Sequence, residues 1–222
     1  MPQQKLTLFD LDHTLLSGDS DVLWCDFLIA RGLLDRTEFS ARNADMDARY
    51  RAGTVSVREF TEFYVGTLAG RRVTECETLR QEFLLQEIAP RIPASAHALV
   101  RKHLDAGDLA VMTTATNRYI TELSARHLNI EHLVATEPEI VNGVFTGATV
   151  GELNMREGKV MRLTAWLAAR NTTRADFHVT AYSDSINDLP LLQIADTPVA
   201  VNPDERLKAW AIAQRHRIIY LR

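Results

Sequence analysis

The sequence has few cysteines and no long apolar run. Its two cysteines, Cys25 and Cys76, lie in separate amphipathic segments without metal-ligand spacing, which argues against a disulfide scaffold and a thiolate metal cluster. We expect two buried free thiols. No stretch is apolar for long enough to span a bilayer, and the opening residues MPQQKLTLFD become acidic before a signal-peptide core could form. We therefore expect a soluble protein of the cytoplasm with no membrane partner.

The chain also lacks an excess of either charge. Its formal net charge is -4 with 24% charged residues, so no strong field favours nucleic acid or an anionic surface. No repeat or low-complexity tract is visible, which argues against a solenoid or a disordered tail. With 222 residues, of which 46% are hydrophobic, the chain can bury the core of one substantial domain or of a core domain plus a smaller one. A small-molecule partner fits this composition, and nothing in it indicates an oligomeric state.

The segment from about Asp21 to Gln86 has apolar residues at helical spacing and predicts four amphipathic helices. Two of them carry a capping-box signal at the start, Ser56 with Glu59 and Thr74 with Glu77.

On either side of the helical segment the pattern predicts an α/β fold with a parallel sheet. The predicted strands are Lys5–Phe9, Leu109–Thr113, His132–Thr136, Phe177–Tyr182, Pro198–Val201 and Ile218–Leu221. A helix is expected after Pro93, and Asn142-Gly143 is the signal of a hairpin turn.

Two aspartates, Asp10 and Asp12, follow the first predicted strand in the stretch FDLDHTL. Ligands of parallel α/β sheets bind beyond the carboxyl ends of the strands. Two carboxylates this close repel, so keeping both ionised calls for a hard cation such as Mg²⁺. For an isolated D-x-D the alternative is that one acid caps a helix and the other is a solvated loop charge.

Other candidate residues stand at later strand ends and helix starts. Asp184 ends a predicted strand and Asp188 follows it, Thr114 ends another strand, and Lys159 lies near the start of a helix. Taken singly, each has an ordinary structural explanation, since threonine is common in strands and lysine on exposed helices.

Their order along the chain resembles that of the haloacid dehalogenase superfamily of aspartate-nucleophile phosphotransferases. FDLDHTL resembles motif I, Thr114 motif II, Lys159 motif III and SDSIND motif IV. The resemblance spans the chain and implies a Rossmann-like three-layer α/β/α core, residues 1–16 and 90–222, with a four-helix C1-type cap, residues 17–89, as in the phosphoserine-phosphatase-like subfamily.

The resemblance implies hydrolysis of a small-molecule phosphomonoester. Asp10 would attack phosphorus, and Asp12 would act as general acid and base, which requires a raised pKa. Mg²⁺ would be held by Asp10, the backbone carbonyl of Asp12 and Asp184, with Asp188 orienting its water. Thr14 would fix the loop. The phosphate-binding residues implied are Leu11, Thr114, Lys159 and Asn187, and Lys159 would also act in catalysis by neutralising charge on the nucleophile and the transferring group.

Two departures from the family pattern concern the substrate. His13 stands where a small residue is usual, and we expect its ring to be tucked under the hinge of the cap, the alternative being a direct role in proton transfer. Asp19 stands where phosphoserine phosphatases have a substrate-binding glutamate, whereas Arg58 is out of register with their arginine. An amine-bearing ester such as histidinol phosphate is therefore the alternative to a phosphoserine-like one. The helical acids that could favour it are Asp19, Asp21, Asp45, Asp47, Glu59 and Glu62.

Other functions remain open at this point. A phosphomutase uses the same nucleophile but generally a different cap, and a phosphate-binding or regulatory protein could use the fold with little turnover. Dehalogenases usually lack the second aspartate, and P-type ATPases need membrane helices.

Overall fold

Seven strands form one sheet in the computed structural model, which describes residues 3–51, 54 and 56–221 except for the side chains of Asp47, Tyr50 and Arg51. The strands are β1 Gln4–Phe9, β2 Leu109–Asn117, β3 His132–Val141, β4 Val144–Val150, β5 Phe177–Ser183, β6 Thr197–Val201 and β7 Arg217–Ile219. Their order is β4-β3-β2-β1-β5-β6-β7, and neighbours are parallel except for the antiparallel pair β3 and β4. The predicted α/β class is confirmed.

Four α-helices lie in the described part of the segment between β1 and Pro93, as the apolar spacing predicts. They are α1 Ser20–Ala30, α2 Arg36–Arg51, α3 Val57–Val65 and α4 Val73–Phe83. The remaining helices alternate with the strands as α5 Ala94–Asp105, α6 Arg118–His127, α7 Glu157–Ala168, α8 Leu189–Gln193 and α9 Glu205–Gln214. None of the helices in the described ranges is long and apolar enough to cross a membrane.

Side chains that alternate between the two faces of the sheet pack against a layer of helices on each face. Side chains of successive strand residues point to opposite faces of a sheet. On β1, Leu6 and Leu8 enter the core shared with α7, α8 and α9, whereas Phe9 enters the core shared with α5 and α6. All three of these side chains are fully buried. The sheet is thus covered on both faces, as parallel sheets require.

The structure corrects several predicted boundaries. Helix α4 begins at Val73, and the Arg72 N–H is bound by the carboxylate of Glu75 at 3.3 Å. The predicted capping box of Thr74 with Glu77 is therefore wrong, because the helix begins two residues earlier than that motif requires. Strand β2 continues four residues beyond Thr113, and β7 begins and ends earlier than expected.

Two local predictions are confirmed. The amide of Glu59 donates to Ser56 Oγ at 3.1 Å, and the Glu59 carboxylate accepts from the Ser56 N–H at 2.9 Å. At the turn between β3 and β4, Asn142 has φ of 52° and Gly143 has φ of 77°. Positive φ at both central residues is the conformation that makes Asn-Gly a hairpin signal.

The outer edge of β4 is covered by the short segment before α4. The Gly70 N–H donates to the Phe145 carbonyl, and the Phe145 N–H donates to the Arg71 carbonyl, at 2.9 and 3.0 Å. These bonds add a partial strand to an edge that would otherwise offer unpaired backbone groups to another chain.

Helix α3 is attached to the same hairpin through side chains. The Glu62 carboxylate accepts from the amide and the hydroxyl of Thr149 at 3.0 and 2.8 Å. Arg58 donates to the Thr149 hydroxyl and, at 2.8 Å, to the Gly151 carbonyl. The helical segment inserted after β1 therefore contacts the sheet at its far edge.

Candidate active site

The carboxyl ends of β1, β2 and β5 meet at one cavity of about 220 Å³. Neighbouring parallel strands end at the same edge of a sheet, so residues far apart in sequence come together here. Among the predicted site residues, those lining the cavity are Asp10, Asp12, Asp19, Lys159, Asp184, Asn187 and Asp188.

A buried lysine joins the first and last motifs. Lys159, in the first turn of α7, donates from Nζ to Asp10 Oδ1 at 2.8 Å and to Asp188 Oδ2 at 2.6 Å. Burial acts to lower the pKa of Lys159, but the two carboxylates more than offset this and raise it. Ser183 also donates to Asp188 Oδ2, at 2.8 Å. Lys159 is therefore held as a cation beside the proposed nucleophile.

Thr14 links the ends of β1 and β5. Its hydroxyl lies 2.8 Å from Asp10 Oδ2 and 3.2 Å from Asp184 Oδ1, and it accepts the Asp184 N–H at 3.0 Å. These contacts are those of a residue that fixes the loop. Because the hydroxyl has one hydrogen, it cannot satisfy both carboxylates at once.

Asp12 accepts hydrogen bonds from donors other than Lys159. Its Oδ1 accepts the Ser20 N–H at 2.7 Å, and its Oδ2 accepts from the Thr116 hydroxyl at 3.0 Å. Burial, with the nearby charges of Asp19 and Asp10, raises the pKa of Asp12 to about 7. A carboxyl group with this pKa can both give and take a proton near neutral pH. The raised pKa that general acid and base chemistry requires is therefore present.

The donor set at the strand ends fits Mg²⁺. Burial and the charges of Asp10 and Asp188 raise the pKa of Asp184 to about 8, so full ionisation of these acids needs more positive charge than Lys159 supplies. Within the described ranges no three His, Cys, Asp or Glu side chains form a metal cluster by themselves. The predicted set is different, since it has two carboxylates and one backbone carbonyl, all hard oxygen ligands.

Two predicted phosphate-binding residues, Leu11 and Thr114, are not among the described residues that line the cavity. The Leu11 side chain is fully buried, and its carbonyl accepts the amides of Leu15 and Leu16 at 2.9 Å. Thr114 is also fully buried, with its hydroxyl accepting the Thr116 N–H at 3.2 Å and lying 3.5 Å from Asp12 Oδ2.

Sequence reasoning missed Thr116 and the special position of Asp21. The Thr116 hydroxyl lies 3.0 Å from Asp12 Oδ2 and 3.2 Å from Asp21 Oδ2. Burial and the charges of Asp19 and Asp12 raise the pKa of Asp21 well above its ordinary value. The run of hydroxyls TTAT was a signal for Thr116, but only the packing of α1 against β2 brings Asp21 to it.

The remaining helical acids are used elsewhere. Asp45 lies 3.6 Å from Arg49, Glu59 caps α3 and Glu62 binds Thr149. The side chain of Asp47 lies outside the described part of the structure. Asp19 lines the cavity but also caps α1, accepting the Val22 N–H at 3.0 Å.

His13 does not lie where we expected. Its side chain is exposed and contributes to the cavity wall rather than being tucked away. The backbone has φ of 56°, a conformation that a glycine adopts without strain. This explains why a small residue suits the position.

A family model for haloacid dehalogenase-like hydrolases matches residues 7–193. The chain belongs to this family.

Two named relatives and one solved structure add detail. A histidinol-phosphatase of Neisseria meningitidis is 37% identical over 210 residues, which cover 94% of this chain and 95% of that protein. A phosphoserine phosphatase of Mycobacterium tuberculosis is 34% identical, covering 91% of this chain and 66% of its own length. The crystal structure of a protein of unknown function from Bordetella pertussis superposes with a TM-score of 0.94, at 41% identity and 98% coverage of both chains.

We expect Mg²⁺ to raise the melting temperature of the protein and Asp184→Asn to remove that increase. The folded-state pKa of Asp184 is raised from 3.8 to about 8, so its ionisation costs stability as the pH rises through this range. The metal-free Asp184→Asn protein should therefore melt higher than the metal-free parent at pH 9, but not at pH 3. Thermal unfolding at both pH values, with and without Mg²⁺, measures this.

The matched control is Asp105→Asn, on the exposed end of α5. An unchanged Mg²⁺ response in Asp184→Asn would contradict the assignment of Asp184 as a metal ligand.

Proposed function

We propose that this phosphatase of the haloacid dehalogenase-like family hydrolyses a small-molecule phosphomonoester through an aspartyl-phosphate on Asp10. The observation that carries the proposal is the ion pair of Lys159 with Asp10 and Asp188. It joins three of the four motifs at one cavity that Asp12 and Asp184 also line.

In the first half of the proposed reaction an Asp10 oxygen attacks phosphorus and the ester P–O bond breaks. Asp12, whose pKa of about 7 leaves it partly protonated, gives its proton to the departing alkoxide. In the second half Asp12 takes a proton from water, the resulting hydroxide attacks phosphorus, and the bond to Asp10 breaks. Inorganic phosphate leaves.

The other side chains of the site neutralise negative charge or hold the groups that do so. Lys159, held within 2.8 Å of Asp10 Oδ1, offsets negative charge on the nucleophile and on the group being transferred. Asp10, Asp184 and the Asp12 carbonyl would hold Mg²⁺, which when bound supplies further charge neutralisation. Asp188 and Ser183 keep Lys159 in place.

The helical segment would act as the cap over this chemistry, within residues 17–89. Its support is that the segment supplies part of the cavity wall: Asp19, Asp21, Phe60, Thr61 and Tyr64. A wall built from an inserted segment can vary in sequence without disturbing the strand ends that hold Asp10 and Asp184.

An amine-bearing phosphate ester is the substrate class that the wall favours, with L-histidinol phosphate as the candidate. Asp19 and Asp21 offer negative charge beyond the catalytic acids, and Phe60 and Tyr64 offer aromatic faces. Lys159 is the one lysine or arginine among the described lining residues. The nearly full-length relative named histidinol-phosphatase agrees with this choice.

A phosphoserine-like substrate is the second candidate, favoured by the relative named phosphoserine phosphatase. Its carboxylate would need a cationic partner. Arg58 does not serve, because it donates to Thr149 and Gly151 at the hairpin, and Lys159 is engaged by Asp10 and Asp188.

Replacing the nucleophile should abolish turnover. We expect Asp10→Asn to lower phosphate release from p-nitrophenyl phosphate with Mg²⁺ by about 10³-fold or more, because the amide cannot form the phosphoenzyme. Asp105→Asn should retain parent activity. A folded parent protein that releases no phosphate from any ester would favour the regulatory or binding alternative instead, and transfer of the phosphoryl group to a second substrate hydroxyl would favour a phosphomutase.

The pH dependence should report Asp12. Its acid form is the one needed in the first step, so kcat/KM for an alkyl phosphate should fall about tenfold per pH unit as the pH rises through about 7. With p-nitrophenyl phosphate the fall should be weaker, since p-nitrophenolate departs without a proton. Steady-state kinetics from pH 5 to 9 measures both profiles, and identical profiles for the two esters would argue against Asp12 as the acid.

Asp21 should determine preference for an amine. We expect Asp21→Asn to lower kcat/KM for L-histidinol phosphate by about tenfold or more, because a desolvated ammonium loses its charged partner. Its kcat/KM for p-nitrophenyl phosphate should change less than about threefold, since the Asn side chain can still hydrogen-bond to the Thr116 hydroxyl. Asp26→Asn, an exposed change on the same helix, is the control. Equal losses on both esters would contradict an ammonium-binding role.

A further inference from the structure

Asn154 is a buried residue that the proposed mechanism does not use. It lies just before α7 and is fully buried. Its Nδ2 lies 2.9 Å from the Thr114 carbonyl, 2.9 Å from the Val134 carbonyl and 3.0 Å from the Thr113 hydroxyl. Its own N–H donates to the Thr136 hydroxyl at 3.1 Å. One side chain thus holds β2 and β3 where they approach the cavity.

The orientation of the Asn154 amide follows from its neighbours. Two of the three atoms facing Nδ2 are carbonyl oxygens, which can only accept, so the nitrogen and not the oxygen of the amide must face them. The Oδ1 atom is buried with no hydrogen-bond partner in the described part of the chain. A buried acceptor without a partner costs about 1–3 kcal/mol, which offsets part of the stability that the Nδ2 contacts contribute.

The bond from Asn154 sets the direction of the next peptide group. A trans peptide is planar, with its carbonyl and N–H pointing in opposite directions. Because Asn154 binds the Thr114 carbonyl, the N–H of Ala115 in the same peptide group points away from Asn154. Strand β1 delivers Asp10 to the cavity, and Ala115 lines that same cavity.

The regular hydrogen-bond ladder between β2 and β3 does not fix the Thr114–Ala115 peptide group. The pairing register of β2 with β3 shifts between Thr114 and Asn117, so the peptide after Thr114 is not fixed by continuous strand pairing. Asn154 supplies the donor at this irregularity.

We infer that Asn154 is a positioning residue for phosphate binding: it holds the Thr114–Ala115 peptide so that the Ala115 N–H donates to the transferring phosphoryl group. This rests on the proposed phosphatase function. A backbone donor aimed at developing negative charge is worth most when its direction is fixed before the substrate arrives. Asn154 acts through that peptide and does not touch the substrate.

The test is phosphate affinity in the intact protein. With Mg²⁺ present, Asn154→Leu, which keeps a similar volume but has no donor, should weaken binding of inorganic phosphate and of orthovanadate by about tenfold or more. Isothermal calorimetry measures both constants without turnover. The kcat for p-nitrophenyl phosphate should fall as well. Thr113→Val, which removes another acceptor of the same amide, is the matched control and should keep both affinities within about twofold.

A second variant covers the case in which Asn154→Leu does not fold. Asn154→Asp has the same shape, but its ionised form repels the Thr114 carbonyl, so its phosphate affinity relative to that of the parent should fall as the pH rises. A folded variant of either kind that binds phosphate as the parent does, even with a lowered melting temperature, overturns the inference. So does a parent protein that binds no phosphate. A parent protein that binds phosphate but hydrolyses no ester overturns the proposed function alone.

Discussion

The charge balance of the site depends on one buried ammonium group. Lys159 lies between Asp10 and Asp188 and is 2% exposed. Removing one partner of such a buried pair leaves a charge without compensation, which is strongly destabilising. The start of α7, the end of β1 and the turn after β5 therefore have to lie close together, with little freedom in the distances between them. The parallel sheet satisfies this requirement because β1 and β5 are neighbours and end at the same edge.

The other acids are crowded beyond what Lys159 can balance. Burial and mutual repulsion raise the pKa values of Asp12, Asp21 and Asp184. Such crowding costs stability in the absence of ligands and is typical of functional sites rather than of structural ones. In the proposed function the same crowding favours the binding of positive charge. The divalent cation would bind at the strand ends, and the substrate ammonium would bind at α1.

Much of this could be predicted from the sequence, for a physical reason. In a parallel α/β sheet the position of a residue relative to a strand end fixes its position relative to the site, so Asp10, Asp184 and Lys159 could be placed by pattern and motif order alone. The parallel α/β sheet followed from the alternation of strand and helix patterns, whereas the three-layer core was implied by the family resemblance. Residues whose positions depend on the packing between elements could not be placed in this way. Asp21 reaches Thr116 only because α1 packs beside the end of β2, and Asn154 reaches Thr114 across two strands.

The contact between α3 and the hairpin of β3 and β4 has a consequence for how this cavity can change. Glu62 and Thr149 are 87 residues apart in sequence, yet their hydrogen bonds tie the helix that carries Phe60 and Tyr64 to an edge strand outside the catalytic motifs. Lengthening or shortening that hairpin would therefore shift an aromatic wall without altering any of the residues to which we assign a role in the proposed reaction. Sequence changes at the outer edge of the sheet are thus a second way, besides changes in the inserted helices, to alter which ligand the cavity selects.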